Sequence, residues 1–205
     1  VVDGAPFLGT VPPDTEDDGQ ANATATGDDA DTDGDDEDGV TIPTLVQGQT
    51  IDVAVEVNGG GGVLEAWVDF DGDGTWQHPG EQVFAGWLPD GAHDIPIATP
   101  VGAVSDQTFA RFRISSQGGL TPVGLAEDGE VEDHRVEIIG SGSITVIKDA
   151  VPDDPQDFDF SGDLGDFVLD DDADPTRDNA ATFSPAPGDY TVTEAAVEEL
   201  LTDLR

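Results

Sequence analysis

The sequence predicts an all-β protein made of two units. Short runs of residues alternate between apolar and polar side chains, as in half-buried strands. Clusters of Gly, Asp, Asn and Pro separate these runs, and no stretch before the C-terminus shows helical periodicity. Short strands with turn residues between them are typical of a β-sandwich. We therefore predict a β-sandwich of the jelly-roll or immunoglobulin-like type, followed by a smaller β unit.

The first unit comprises an acidic N-terminal segment, residues 1–39, and a sandwich domain, residues 40–140. The segment has few large apolar residues and could not fold alone. Within 109–114 the even positions should share one face, with Arg111 and Arg113 on the other. The predicted strands are Thr50–Val57, Val63–Phe70, Ala92–Ala98, Thr108–Ser115 and Glu130–Ile139.

The second unit, residues 141–205, follows a short glycine hinge at 140–142. Loops rich in Asp, Pro and Gly separate its runs, and Ala195–Arg205 is either a short helix or an unpaired strand. Its predicted strands are Ile144–Ile147, Asp157–Phe160, Phe167–Leu169, Ala181–Phe183 and Tyr190–Thr193.

The charge of the chain limits its partners. It carries 46 acidic residues against 6 Lys and Arg, a formal net charge of -40. Such a chain cannot neutralise nucleic-acid phosphates and should not dock on anionic lipid. No apolar run reaches membrane length, so we expect no membrane insertion. Two compatible interpretations remain: a halophilic, salt-adapted surface, and sites for Ca²⁺.

The strongest local motif for a metal site is the run from Asp69 to Trp76. Carboxylates two residues apart converge when the chain curls, and Gly74 permits the sharp turn. We predict calcium ligation by Asp69, Asp71, Asp73 and Glu81 on a β-hairpin. The alternative is an Asp/Gly-rich turn that holds no specific ion.

A second acidic motif covers residues 128–133. On a strand, Glu130 and Glu132 share one face, where two carboxylates are costly unless they are paired or bind a metal. One interpretation is a Glu–Arg ladder with Arg111 and Arg113. The other is calcium ligation together with the acidic run at 35–38. The candidate ligands of this second group are Asp36, Asp38, Glu130, Glu132 and Asp133.

No catalytic constellation is evident. The three histidines, His78, His93 and His134, are isolated, and no phosphate-binding glycine loop opens a helix. Carboxylate pairs arise by chance in so acidic a chain and do not indicate a glycosidase. We therefore expect that the protein is not an enzyme.

The motif Asp128-Gly129-Glu130-Val131-Glu132-Asp133-His134 resembles the one that names the GEVED domain. The resemblance extends in order over about residues 1–140 and includes Ala66-Trp67-Val68-Asp69-Phe70 and Ala110-Arg111-Phe112-Arg113. It implies a β-sandwich module of large secreted bacterial surface proteins. The chain departs from the family's usual aromatic residue at His134 and from its frequent Asn at Asp71.

Residues 141–205 resemble a prealbumin-like repeat of the collagen-adhesin B type. Lys148 ends the first strand, and Tyr190-Thr191-Val192-Thr193-Glu194 is similar to the Glu-bearing box of that family. The resemblance implies Lys148 and Glu194 as an isopeptide lysine and its proton-shuttling glutamate. The last strand and its Asn are missing, and Asn179 lies in a predicted loop, which counts against an intrachain bond.

We therefore expect a secreted structural or adhesive module of the cell surface, stabilised by calcium. The open edge of the incomplete second sandwich predicts head-to-tail self-association by strand complementation, unless the sequence is simply truncated. The alternative is a carbohydrate-binding accessory of a secreted hydrolase. Its stacking platforms would be Trp67, Trp76 and Trp87, unless Trp67 is core and the other two pack the loop. Besides other copies of the chain, the expected partners are extracellular glycans or other surface proteins.

Overall fold

The protein is described here from a computed structural model that covers residues 4–13, 37–76, 80–151, 156–171 and 176–196. The chain divides into two compact units, Val1–Gly140 and Ser141–Arg205. Across the described residues all regular structure is strand, which confirms the all-β prediction. None of these residues forms a helix long and apolar enough to span a membrane.

The described residues of the first unit form a sandwich of two sheets. One sheet has β4 at its centre, paired with β7 along one edge and with β1 and β2 along the other. The second has the order β3-β9-β8-β5-β6, in which only β3 runs parallel to its neighbour. The strands are β1 (Phe7–Leu8), β2 (Val40–Thr41), β3 (Leu45–Val46), β4 (Thr50–Asn58), β5 (Gly62–Val68), β6 (Gln82–Leu88), β7 (Gly91–Ala98), β8 (Gln107–Ser115) and β9 (Glu130–Ile139).

The hydrophobic core of this unit lies between the two sheets. Alternate residues of β4 and β8 point into it, including Val55 and Phe112, which are at most 1% exposed. Each such side chain contributes about 1.5–3 kcal/mol on burial. The even positions of β8 share one face, as predicted, and that face lies in this core, with Arg111 and Arg113 on the opposite face.

The N-terminal segment contributes directly to this sandwich. β1 and β2 lie one after the other on the same edge of β4, and Gly9 and Gly39 both bond the backbone of Glu56. A Cβ atom at Gly39 would lie 2.2 Å from the Gly9 nitrogen, so this close approach requires glycine. Leu8 is fully buried in the core. Residues 7–8 and 40–41 therefore form one edge strand in two pieces.

The prediction of a Glu–Arg ladder on β9 is wrong. The antiparallel register places Glu132 opposite Phe112 and Glu130 opposite Ile114, so both glutamates face the core. The arginines lie on the other face, where Asp133 is opposite Arg111. A one-residue offset in register exchanges the two faces of a strand, and sequence alone did not fix that offset.

The two glutamates hold the divided edge strand in place. Glu132 is fully buried; its Oε1 accepts the backbone N–H of Gly39 at 2.9 Å, and its Oε2 lies 2.9 Å from Nε2 of His134. Glu130 accepts the backbone N–H of Leu8. Buried N–H groups that lack an acceptor are costly, so these carboxylates make the close approach of both strand pieces favourable.

The part of the second unit that the structure describes forms two small sheets. β10 (Ile144–Ile147) pairs with β13 (Ala180–Phe183), and β11 (Phe158–Gly162) lies between β12 (Phe167–Leu169) and β14 (Val192–Glu194). Phe158, Phe160 and Leu169 form its buried cluster. All five predicted runs of this unit contain strand residues, with β11 and β14 displaced toward the C-terminus by one or two residues.

Truncating Glu132 should destabilise the first unit. We expect Glu132→Ala to lower its free energy of unfolding by about 2–4 kcal/mol, because the change buries an unsatisfied Gly39 N–H and opens a cavity. Glu132→Gln keeps a carbonyl acceptor and should cost less. Urea denaturation followed by tryptophan fluorescence reports this unit specifically, since all three tryptophans lie between residues 67 and 87.

The matched control is Glu127→Ala, which changes an exposed carboxylate. This variant should alter the unfolding free energy by less than about 0.5 kcal/mol. If Glu132→Ala is no less stable than the control, the edge strand does not depend on this carboxylate.

Candidate metal centre

The loop that follows β5 is shaped by the side chain of Asp69. Oδ1 of Asp69 accepts the N–H of Gly72 at 2.7 Å and that of Asp73 at 3.2 Å, while Oδ2 accepts the N–H of Gly74 at 3.0 Å. Gly72 and Gly74 have φ values of 69° and 77°, which other residues rarely adopt. The alternation of Asp and Gly therefore curls the chain around one carboxylate.

Three carboxylates meet at this loop. Their candidate ligand atoms, from Asp69, Asp71 and Glu81, all lie within 4.8 Å of one another. Asp69 is 3% exposed, Glu81 is 6% exposed, and Asp71 faces solvent. Oε1 of Glu81 also accepts the N–H of Phe70 at 2.7 Å, so the residue before β6 is tied to the loop after β5. The group thus joins both ends of the 69–81 connection.

The electrostatics of this group favour a bound cation. Burial raises the pKa of Asp69 above its ordinary value of 3.8, and the negative charge of Asp71 adds to the increase. The N–H groups of Gly74, Gly72 and Asp73 act in the opposite direction. A divalent ion would relieve the repulsion between the carboxylates, and an all-oxygen ligand set suits a hard ion such as Ca²⁺ or Mg²⁺.

The structure separates the other predicted ligands from this cluster. Asp73 turns back on its own loop, where its Oδ1 accepts the N–H and hydroxyl of Thr75 at 2.8 and 2.7 Å. Asp38 accepts the N–H of Thr10 and its hydroxyl, at 2.9 and 2.6 Å. Burial pushes the pKa of Asp38 upward, but the bonds from Thr10 and Val11 hold it below its ordinary value. Asp36 lies outside the described residues.

Asp133 has a different role, as the partner of a buried arginine. Its Oδ1 and Oδ2 accept from Nε and Nη2 of Arg111 at 2.7 and 2.6 Å, and both side chains are at most 5% exposed. Nη1 of Arg111 donates to the carbonyl of Pro122 at 2.6 Å. The bidentate pair fixes the guanidinium, which in turn holds the carbonyl of Pro122.

Glu65 is a structural residue that the sequence analysis missed. It lies opposite Arg113 in the sheet and is 5% exposed. Its two carboxylate oxygens accept the N–H groups of Gly119 and Leu120 at 2.8 and 2.9 Å, and Arg113 donates to the carbonyls of Thr121 and Gly124. The available signal was a lone carboxylate inside the apolar run 63–68.

In the second unit, the predicted isopeptide residues lie close together. Nζ of Lys148 is 3.2 Å from Oε1 of Glu194, and it lies 4.0 Å from the ring centroid of Phe158. The backbone N–H of Lys148 donates to the carbonyl of Asn179 at 2.8 Å. Lys148 therefore contacts one glutamate and one aromatic ring through its ammonium group, and the backbone of one asparagine through its own backbone.

Comparison with known proteins identifies one region of the chain. No curated protein matches the chain. Residues 63–137 match the GEVED domain, and this range holds most of β5 to β9, the carboxylate cluster and the core-facing glutamates. The match ends before the second unit, whose resemblance to a prealbumin-like repeat stays a prediction. The resemblance of the first unit to the GEVED domain is therefore confirmed for residues 63–137.

Proposed function

We propose that this protein is a non-catalytic, extracellular structural or adhesive module whose first unit is stabilised by calcium. The observation that carries the proposal is the convergence of Asp69, Asp71 and Glu81 within 4.8 Å. Two of these carboxylates are almost fully buried, and Glu81 and Asp69 belong to opposite ends of one connection. An ion bound there would cross-link that connection.

Calcium fits this centre better than magnesium does. Calcium accepts six to eight oxygens in irregular geometry, including backbone carbonyls and water, whereas magnesium requires near-ideal octahedral geometry. The ligands here come from a curled loop and a strand start rather than from a regular cage. Extracellular calcium modules bind in the range of about 0.1–1 mM, which suits a secreted protein in salt-rich surroundings.

For the second unit we propose a prealbumin-like repeat that associates with other copies. The contacts of Lys148 with Glu194 and Phe158 support the resemblance. Within the described part of this unit, β14 is paired with β11 along one edge and with no strand along the other. An open edge is a template for a strand from a neighbouring copy, which would give head-to-tail assemblies.

Calcium should stabilise the first unit, and Glu81→Gln should remove most of that effect. At about 5 mM calcium we expect a gain of about 1–2 kcal/mol in the free energy of unfolding. Glu81→Gln keeps an acceptor for the Phe70 N–H but loses the charge. Calorimetry and urea denaturation in calcium and in EDTA measure both effects, with the exposed Asp94→Asn as the matched control. Absence of calcium binding by the unmodified protein would refute the proposed ion site.

On acidification, the affinity for calcium should begin to fall at a higher pH than it would if Asp69 had the pKa of an ordinary aspartate. Because the pKa of Asp69 is raised in the folded state, protonation of Asp69 stabilises the ion-free folded protein relative to the unfolded chain. This stabilisation is complete below pH 3.8 and is lost as pH rises through the folded pKa. Calcium requires the carboxylate, and protons therefore compete with it. Calorimetric titrations between about pH 7 and about pH 4 test this, and a constant affinity over that range would contradict it.

Self-association should be visible in solution. We expect light scattering to show a mass that grows with protein concentration in about 10 mM calcium, a level that saturates weak extracellular sites. Electron microscopy should then show linear assemblies, because an open strand edge joins copies head to tail. A protein that stays monomeric at high concentration, both in calcium and in EDTA, rules out assembly through this edge.

A further inference from the structure

A cleft of about 710 Å³ lies beside the metal-centre loop. Its walls come from that loop, from the beginning of β8 and from residues 122–123. The volume falls within the range of pockets that bind small ligands, about 300–1,000 Å³. The cleft combines aromatic, apolar and polar side chains, among them Asp73, Thr75, Trp76, Gln107, Phe109 and Val123.

Trp76 lines this cleft, and a hydrogen-bonded arginine lies beside its ring. The guanidinium carbon of Arg111 lies 5.6 Å from the centre of the indole ring. Arg111 is itself fixed by two bonds to Asp133 and one to the Pro122 carbonyl. A partly exposed indole against a fixed cation is a preorganised platform. When a ligand stacks on it, the protein loses little side-chain entropy.

The polar groups of the cleft indicate what such a ligand must offer. Asp73, Thr75 and Gln107 are exposed and present both acceptors and donors. Asp69 and Asp73 make the site negative, in a chain of net charge -40, which disfavours phosphates, sulfates and uronic acids. A neutral ligand with several hydroxyls and one apolar face satisfies both the polar rim and the indole.

We propose that this cleft binds a neutral oligosaccharide, with one sugar ring stacked on Trp76. Neutral glycans would then be the class of target for the proposed adhesive role. The inference rests on the proposed function where it invokes the calcium site. Asp69 and the loop it curls form one wall of the cleft, so calcium at Asp69, Asp71 and Glu81 should fix that wall and strengthen sugar binding.

The test is calorimetric titration of the full chain with neutral hexasaccharides in about 5 mM calcium and in EDTA. The probes are hexamers of β-1,4-glucose, α-1,4-glucose, β-1,3-glucose and β-1,4-mannose, with an oligo-uronate as the charged comparison. We expect at least one neutral hexamer to bind, and Trp76→Ala to weaken its binding by about tenfold or more, because the stacking area is lost. Gln107→Ala should weaken it to a smaller extent.

The matched control is Trp87→Ala. Trp87 is 61% exposed on β6 and is not among the residues that line the cleft, so this variant should bind as the unmodified protein does. Thermal unfolding of each variant, followed by the fluorescence of the fully buried Trp67, verifies that the sandwich is intact. If Trp76→Ala does not fold, the Gln107→Ala and Trp87→Ala pair decides the location of the site.

Several outcomes would overturn the proposal: binding of no neutral hexamer, binding of the oligo-uronate alone, or equal affinity in the Trp76→Ala and unmodified proteins. Loss of binding in Trp87→Ala would also overturn it. Calcium titration without sugar tests the ion site separately. If calcium binds and no sugar binds, the sugar site is refuted and the ion site stands. If sugar binds and calcium does not, the ion site is refuted and the sugar site stands.

Discussion

The first unit depends on two carboxylates placed where a sandwich normally has aliphatic side chains. Glu130 and Glu132 lie on the core-facing side of β9. Glu130 accepts the backbone N–H of Leu8 in β1, and Glu132 accepts that of Gly39, the residue before β2. Burying a carboxylate is unfavourable unless its oxygens accept hydrogen bonds. Here the bonds also join the two sheets at one end of the core, so the burial of Leu8 and the closure of the sandwich go together.

The opposite face of the same strand carries a separate polar system. Asp133 and Arg111 form a bidentate pair, while Glu65 and Arg113 each hold backbone groups of the 119–124 region. Removing one partner of such a pair leaves a buried charge and is strongly destabilising, by about 3–5 kcal/mol. One short acidic motif therefore serves both sides of the sheet, and the loop that it immobilises forms part of the cleft beside Trp76.

Alternation along single strands was enough to predict most of the sandwich. β4, β5, β8 and β9 are long strands and are close to their predicted bounds. β6 was missed, because an edge strand that contains Gly86 and is only half buried shows little alternation. β1 and β2 were missed because two residues carry no periodicity. They are strands through their pairing with β4, and the bond between Leu8 and Glu130 also holds β1.

The same limit applies to the carboxylates. The spacing of Asp69 and Asp71 pointed to a shared site, since residues two apart converge in a curled loop. The local sequence did not show that Asp73 and Glu81 have different roles. Asp73 accepts the N–H of Thr75 in its own loop, whereas Glu81 reaches the carboxylate cluster from the other end of the connection. The roles of Asp38, Glu130 and Asp133 depend on partners between 22 and 122 positions away in sequence, and in an acidic chain sequence spacing cannot identify such partners.

The two pieces of the edge strand are attached to the sandwich separately. Gly9 and Gly39 are each fixed by their own backbone bonds to Glu56, and Asp38 closes the base of the intervening stretch by binding Thr10. The two attachment points are thus held independently of what connects them. A substitution that breaks one of these backbone bonds leaves the other in place, so loss of one piece of the edge strand does not release the other.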